Sequence, residues 1–428
     1  MNYFAELGLS QKLSDRLAEL GLTEPTPIQS KAIPRVLEGR DIMGLAQTGT
    51  GKTAAFGLPI VQTLHSKGQK PAPRSARALI LAPTRELVRQ IMDNLANYVG
   101  KSHLKVTMVV GGAGIGAQIK RMERGTDILV ATPGRLIDLT ERKAVDLSQT
   151  EYLVLDEADQ MLDLGFIHAL RQIAKLLPQQ RQTLLFSATM PKLMNEIAQT
   201  YLTDPVRVQV APPGKVADKI TQSLHYVDKG EKVGHLKTLL AEHRGEKAIV
   251  FTRTKHGAER LMKSLDGAGF KAGSIHGNKS QAQRDRALAA FKAGQLDVLV
   301  ATDVAARGID IPLVKVVYNF DLPNVPENYV HRIGRTARAG NDGRAIAFCG
   351  QDEMKELRQI EKLLGFALPV EGGNAWLGPK DAPDGAEPKR PGRRPRRRPS
   401  GGPKGGFKGG TGGGAGGGPR RRSKRRAA

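Results

Sequence analysis

The segment Ala46-Gln47-Thr48-Gly49-Thr50-Gly51-Lys52-Thr53, directly after the apolar run Ile42-Met43-Gly44-Leu45, has the make-up of a phosphate cradle. Glycines let backbone N–H groups turn inward around phosphate oxygens, a lysine meets the β/γ charge, and a hydroxyl residue ligates Mg²⁺. Ala46 stands where the general pattern has glycine, but Gly51-Lys52-Thr53 is intact. A helix beginning there adds its positive N-terminal end. The competing reading is a glycine-rich turn before a helix. About a hundred residues on comes Tyr152-Leu153-Val154-Leu155-Asp156-Glu157-Ala158-Asp159. An acid at a strand end can hold Mg²⁺ through water, and its neighbour can orient an attacking water. By themselves such acids read as a helix N-terminus favoured by the dipole; the upstream phosphate loop reverses that preference.

A third segment is His331-Arg332-Ile333-Gly334-Arg335-Thr336-Ala337-Arg338. If it is helical, His331, Arg335 and Arg338 share one face, and Arg332 lies off it and should matter less. Paired arginines suit the charge on a transferring γ-phosphoryl group. A solvated basic face, or a clamp on nucleic-acid phosphates, fits the spacing equally well.

These segments need strands to end on. In the first half, residues 78–82, 127–131, 152–155 and 183–186 read as buried strands, each followed at once by polar or turn residues. Residues 248–251, 298–301, 314–318 and 345–348 repeat the layout. Strands alternating with helical patterns imply an α/β protein with parallel sheets covered on both faces. Open sheets of that kind bind ligands at the carboxyl ends of their strands, where the polar clusters lie. The expected division is a first domain over 1–207, a linker over 208–217 around Pro212-Pro213-Gly214, a second domain over 218–370, and a basic tail over 371–428. The tail is so rich in Gly, Pro and Arg that it cannot offset its ordering entropy and is expected to be disordered.

With 428 residues, two or three domains are expected. The net charge of +24 points to a polyanionic partner. Residues 378–428 hold 16 Lys/Arg against 3 Asp/Glu, a surplus of 13, which leaves 11 to the rest. Aromatics at 4% argue against a surface of repeated base-stacking rings and favour backbone contact. The single cysteine, Cys349, excludes an internal disulfide framework and a cysteine-cluster zinc site. No apolar stretch is long enough to span a membrane, and the first ten residues lack the pattern of a secretory leader. A cytoplasmic setting with no membrane partner is expected.

The ordered segments resemble a DEAD-box RNA helicase over roughly residues 3–368. Gly21-Leu22-Thr23-Glu24-Pro25-Thr26-Pro27-Ile28-Gln29 is similar to the adenine-reading Q motif, with Phe4 at the upstream aromatic position. Asp156-Glu157-Ala158-Asp159 matches the tetrad that names the family, and Ser187-Ala188-Thr189 matches its coupling segment. Thr302-Asp303 and Arg307-Gly308-Ile309-Asp310 match nucleotide and RNA contacts, and residues 331–338 match the arginine-finger motif. Ala337 departs from the family's glycine; as a helical position it should accept alanine well. The tail and the Q-motif wording suggest the bacterial RhlE-like branch.

The resemblance implies two tandem RecA-like domains and an RNA-stimulated ATPase that uses ATP and Mg²⁺. Gln29 would read adenine and Phe4 would stack on its ring, unless Phe4 is a core anchor. Ala46, Gln47, Thr48, Gly49, Thr50, Gly51, Lys52, Thr53, Gly308 and Asp310 would bind the nucleotide. Thr53 and Asp156 would hold Mg²⁺ largely through water, and Glu157, Arg335 and Arg338 would be catalytic. Ser187, Thr189, Asp159 and His331 would couple the two domains. Pro83, Thr84, Arg85, Gly112, Thr132, Pro133, Gly134, Arg135, Arg253, Thr302 and Asp303 would contact RNA; for Gly111-Gly112 a tight turn is the alternative. Single-stranded and duplex RNA of any sequence would be bound, in settings such as ribosome assembly or RNA degradation. An enzyme of this architecture acting on DNA, or a non-enzymatic RNA chaperone with the tail as annealing arm, are the competing functions.

Overall fold

The structure, a computed structural model, describes residues 3–46, 49–190, 192–210, 220–306, 314–337 and 342–376. Fourteen strands among these residues form two seven-stranded sheets. The first comprises β1 (Ile42–Leu45), β2 (Ala76–Leu81), β3 (Val106–Val109), β4 (Thr126–Ala131), β5 (Tyr152–Leu155), β6 (Gln182–Ser187) and β7 (Val206–Gln209), in the order β3-β4-β2-β5-β6-β1-β7. The second comprises β8 (Ile220–Tyr226), β9 (Ala248–Phe251), β10 (Ala272–Ile275), β11 (Val298–Ala301), β12 (Val316–Asn319), β13 (Gly343–Cys349) and β14 (Val370–Gly372), in the order β10-β11-β9-β12-β13-β8-β14. Every pairing is parallel, and helices connect the strands.

Apolar strands form because both faces are covered. Along β2, Ala78 and Ile80 enter one core cluster with Ile42, Val130 and Phe186, whereas Leu79 and Leu81 enter another with Met43, Leu155 and Leu185. Side chains alternate across a strand, so burial on both faces needs an unbroken apolar run rather than an alternating one. The second sheet repeats this: Val250, Val300 and Tyr318 lie on one side, Phe251, Leu299 and Val317 on the other.

Register aligns the strand ends. Leu45 pairs with Ser187, Leu155 with Leu185, and Leu81 with both Leu155 and Ala131. The segments that follow β1, β2, β4, β5 and β6 therefore leave one edge of the sheet together. In the second lobe Phe251 pairs with both Ala301 and Asn319, which aligns the loops after β9, β11 and β12.

The structured edges differ from the expected boundaries. The linker was expected from residue 208, but Val208 is buried and lies in β7, paired with Gly44. The second sheet runs past residue 370 because β14 pairs with β8, and Trp376 Nε1 donates to Cys349 O at 3.1 Å. Residues 211–219, most of the expected linker, and 377–428, most of the expected tail, lie outside the described residues. Among the described residues, no helix is long and apolar enough to cross a membrane.

Candidate active site and nucleic-acid face

Gly51 caps the helix Lys52–Lys67 with a left-handed backbone, φ 90°. A Cβ at Gly51 would lie 2.3 Å from Nε2 of Gln29, so only glycine fits there. Lys52 is buried; its Nζ donates to Ala46 O at 3.2 Å and lies 3.7 Å from Asp156 Oδ1. Lys52 and Asp156 thus meet across the ends of β1 and β5. Thr53, the next residue, is half-buried, and Gly49 also has positive φ. Gln47 and Thr48 lie outside the described residues.

Gln29 opens the helix Pro27–Leu37 and closes a capping box with Thr26, its Oε1 accepting from Thr26 N at 2.9 Å. Its Nε2 donates to Gly51 O at 3.0 Å. The amide therefore braces the loop at Gly51, and one N–H and one oxygen lone pair remain beyond these two bonds. Phe4 requires a correction. Its ring is 1% exposed, within the cluster that contains Leu13, Leu17 and Ile28. No face of it is open to an adenine, and its place is that of a core anchor.

Asp156 and Glu157 are both 2% exposed. Burial pushes the Asp156 carboxyl up to about 6, against the opposing pull of Lys52. Its Oδ1 accepts from Glu157 N at 3.0 Å. Glu157 has φ 52°, ψ 50°, a left-handed conformation that costs a non-glycine residue of order 1 kcal/mol and gathers at functional sites. Asp159 Oδ2 accepts from Ala188 N at 3.1 Å and from Thr189 N and Oγ1, both at 2.9 Å. Ser187 Oγ donates to Thr189 O at 2.7 Å. His331 Nε2 of the second lobe lies 3.8 Å from the same Asp159 Oδ2. The four expected coupling residues therefore meet in one cluster.

The third motif is not one continuous helix. The helix Pro326–Ile333 ends at Gly334, so Arg335 lies beyond it, its Nε donating back to His331 O at 3.1 Å. Ala337 has φ 55°, so the glycine it replaces would serve a left-handed turn and not a helix. Arg332 is 2% exposed, so it is not part of a solvated basic face. It forks onto Asp303, donates through Nη1 to Asn319 Oδ1 at 3.1 Å and Asp321 O at 2.6 Å, and lies over the Phe251 ring at 5.1 Å. Asp303, expected at RNA, thus pairs with Arg332 through both carboxylate oxygens. Arg307, Gly308, Asp310 and Arg338 lie outside the described residues.

Pro83 and Thr84 follow β2 and are buried; Thr84 Oγ1 caps the helix Arg85–Val99 by accepting from Leu87 N at 3.2 Å. Gly112 has φ 72°, and a Cβ there would come within 2.1 Å of Arg85 Nη1. The left-handed backbone supports the tight-turn reading of that glycine, with the Arg85 guanidinium lying against it. Thr132 and Pro133 begin the helix Pro133–Glu141, Gly134 is exposed beside them, and Arg135 Nη1 donates to Ala113 O at 3.0 Å. Arg85 and Arg135 thus both border the Gly112-Ala113 segment. Thr302 is buried at the end of β11, and Arg253 is exposed at the end of β9.

Sequence reasoning missed a set of contacts between the lobes. Arg85 Nη1 donates to Gln281 Oε1 at 3.3 Å, Gln281 Nε2 donates to Glu86 Oε1 at 2.9 Å, and Arg284 Nη2 lies 3.0 Å from the same oxygen. Arg89 and Asp285 pair nearby at 3.4 Å. Ser280 and Gln283 form a capping box that marks the start of the helix Gln281–Lys292, but that pattern does not name a partner in the other half of the chain.

Comparison with known proteins bears on this arrangement. Residues 26–197 match the DEAD/DEAH box helicase family, and residues 231–340 match the helicase conserved C-terminal domain. The chain is 46% identical over 362 residues to the ATP-dependent RNA helicase CshA of Listeria monocytogenes, covering 85% of this chain and 69% of that protein. It is 44% identical to CshA of Limosilactobacillus reuteri, covering 84% and 71%. Its fold is similar to that of S. cerevisiae Dbp5 bound to RNA and ADP BeF3, with a TM-score of 0.78 and 31% identity over 87% of this chain and 96% of that one. The acidic tetrad, the loops around it and the matches over both lobes agree: the chain belongs to the DEAD-box family of ATP-dependent RNA helicases.

Proposed function

We propose that the chain couples ATP hydrolysis to local unwinding of RNA duplexes and remodelling of RNA–protein complexes, with one composite site assembled from both lobes. The observation that carries this is Asp159. Its Oδ2 receives three hydrogen bonds from the Ser187-Ala188-Thr189 segment and faces His331 of the second lobe. A carboxylate shared in this way ties the acidic tetrad to the approach of the other lobe.

In this reading Lys52 and the loop N–H groups hold the β- and γ-phosphates, Gln29 sets the loop and the base edge, and Glu157 takes the proton of the attacking water. Arg335 and Arg338 offset the charge that develops on the γ-phosphoryl group, so hydrolysis requires lobe closure. ATP and single-stranded RNA both favour the closed state, and by linkage each strengthens the other's binding. Closing on a bent strand excludes its complement, which gives local strand separation.

Thr53 and Asp156 fit Mg²⁺. Both offer hard oxygens beside the phosphate loop, and Mg²⁺ is usually held by one or two carboxylates plus substrate phosphates and water. Among the described residues no group of three or more acidic, His or Cys side chains forms an all-protein cage. A cation would also favour the ionised form of buried Asp156. When bound, Mg²⁺ supplies charge neutralisation at the phosphate oxygens.

Arg85, Gly112, Thr132, Arg135, Arg253 and Thr302 would touch the RNA backbone, with the 2′-OH distinguishing RNA from DNA. The Q-motif wording and the glycine- and arginine-rich tail favour the RhlE-like branch, and ribosome assembly or RNA degradation are settings these motifs would serve. The test is ATPase activity with single-stranded RNA, with DNA of the same sequence, and for Lys52→Ala. Stimulation by RNA alone, lost in the variant, is expected. Equal stimulation by DNA would overturn the RNA assignment, and no hydrolysis under any condition would favour a chaperone.

A further inference from the structure

Glu353 closes a short 3-10 turn, Gln351–Glu353, after β13 and is 3% exposed. Its Oε1 accepts from Arg253 Nη2 at 2.9 Å and Leu322 N at 3.0 Å. Its Oε2 accepts from Gly350 N at 3.1 Å and from Lys232 Nζ. Four donors fill the four lone-pair sites of one carboxylate. Lys232 is also 3% exposed and donates to Phe320 O at 2.8 Å, with Asp321 Oδ1 3.9 Å away.

This hub joins the segments that follow β9, β12 and β13. Stability is a poor reason for it, because a buried ion pair replaced by packed apolar groups is often neutral or better; fixing one geometry is its best-attested use. The geometry fixed here is that of Arg253. Its backbone N donates to Asp321 Oδ2 at 2.8 Å, and its Nη2 is held by Glu353 and by Leu322 O at 3.1 Å. Its side chain is nevertheless 36% exposed. Of the five guanidinium N–H groups, the three on Nη1 and Nε have no protein partner among the described residues. A fork anchored on one side and open on the other suits a phosphate.

We propose that Glu353, held by Lys232, is a positioning residue that orients Arg253 toward a phosphate of the bound RNA strand. The inference rests on the reading of Arg253 as an RNA contact. The experiment measures binding of a single-stranded oligoribonucleotide by the full chain, with a non-hydrolysable ATP analogue, across a range of salt. Arg253→Ala should weaken binding about 10-fold, the lower end for a charged hydrogen bond, and flatten the slope of log K against log salt by about 0.7, one phosphate. Glu353→Gln should weaken binding and flatten the slope in the same direction, and should add nothing in the Arg253→Ala background. Should Glu353→Gln fail to fold because Lys232 is left without its counter-charge, Lys232→Met/Glu353→Gln removes both charges, and the same RNA defect is expected. No effect of Arg253→Ala would overturn the underlying reading. A defect in Arg253→Ala without one in the Glu353 variants, or losses that simply add in the double variant, would overturn the positioning role alone.

Discussion

Arg332 and Asp303 form a forked pair, with Nε on Oδ1 at 2.5 Å and Nη2 on Oδ2 at 2.8 Å, the guanidinium buried and the carboxylate half-buried between the end of β11 and the helix Pro326–Ile333. It brings together two motifs that are 29 residues apart in sequence. The guanidinium has a backbone carbonyl, an asparagine and the Phe251 ring as its other neighbours, so it acts as the keystone of the second lobe rather than as a spare basic residue.

Arg332→Ala should therefore destabilise the second lobe by about 3–5 kcal/mol, since it leaves Asp303 without its charged partner. Lysine should rescue little, because a point charge cannot fork onto the carboxylate and stack on the ring. Urea unfolding of the full chain measures this. A midpoint unchanged in Arg332→Ala would refute the keystone role, and any loss of ATPase in that variant has to be read beside its unfolding curve.

Glu157→Gln should keep ATP and RNA binding while lowering turnover roughly 10²- to 10⁴-fold, the worth of a positioned base. The closed complex with ATP and RNA should then persist, visible as slow release of labelled RNA. Turnover within a few-fold of the parent would remove Glu157 from catalysis.

Asp156 is held at about 6, above its ordinary 3.8, chiefly by burial. A raised carboxyl pKa favours folding below the unfolded value, and that contribution is lost as pH climbs through about 6. The nucleotide-free protein is therefore destabilised by this group at neutral pH, by on the order of 1–3 kcal/mol. Asp156→Asn should melt higher than the parent at pH 7.5, with the gain shrinking toward pH 4.5, while losing Mg²⁺-dependent hydrolysis. A gain that does not vary with pH would exclude titration of Asp156 as its source.

Ala337 holds a left-handed backbone, φ 55°. Ala337→Gly should relieve about 1 kcal/mol of backbone strain, partly offset by the greater freedom of glycine in the unfolded chain. Denaturant titration should show a small net stabilisation. A loss of stability, as glycine would cause inside a helix, would mean that the turn is not left-handed in solution.

The surplus of 13 positive charges after residue 377 makes a role of the tail in RNA binding testable. A cationic arm raises the local RNA concentration around the lobes, so truncation should weaken RNA binding uniformly across sequences. If it engages about five phosphates, the salt slope should flatten by about 3 to 4. An unchanged slope would leave RNA binding to the two lobes alone.

The sequence by itself determined the architecture and the chemical loops. Strands buried on both faces need continuous apolar runs, so β2, β4, β5 and β6, and β9, β11, β12 and β13 in the second lobe, were legible within a residue or two. The strands that escaped notice, β3, β7, β10 and β14, are the four sheet edges, and β8 lies beside one of them. An edge strand has one neighbour and tolerates polar residues, as Val-Arg-Val-Gln in β7 shows. The phosphate loop and the acidic tetrad could be read because their chemistry is written in consecutive residues. Tertiary structure alone decided that Phe4 is core, that Arg332 belongs to Asp303, that Ala337 sits in a left-handed turn, and that Arg253 hangs on Glu353, a hundred residues later. Burial and long-range partnership depend on which surfaces the folded chain brings together, and neighbouring residues carry no record of that.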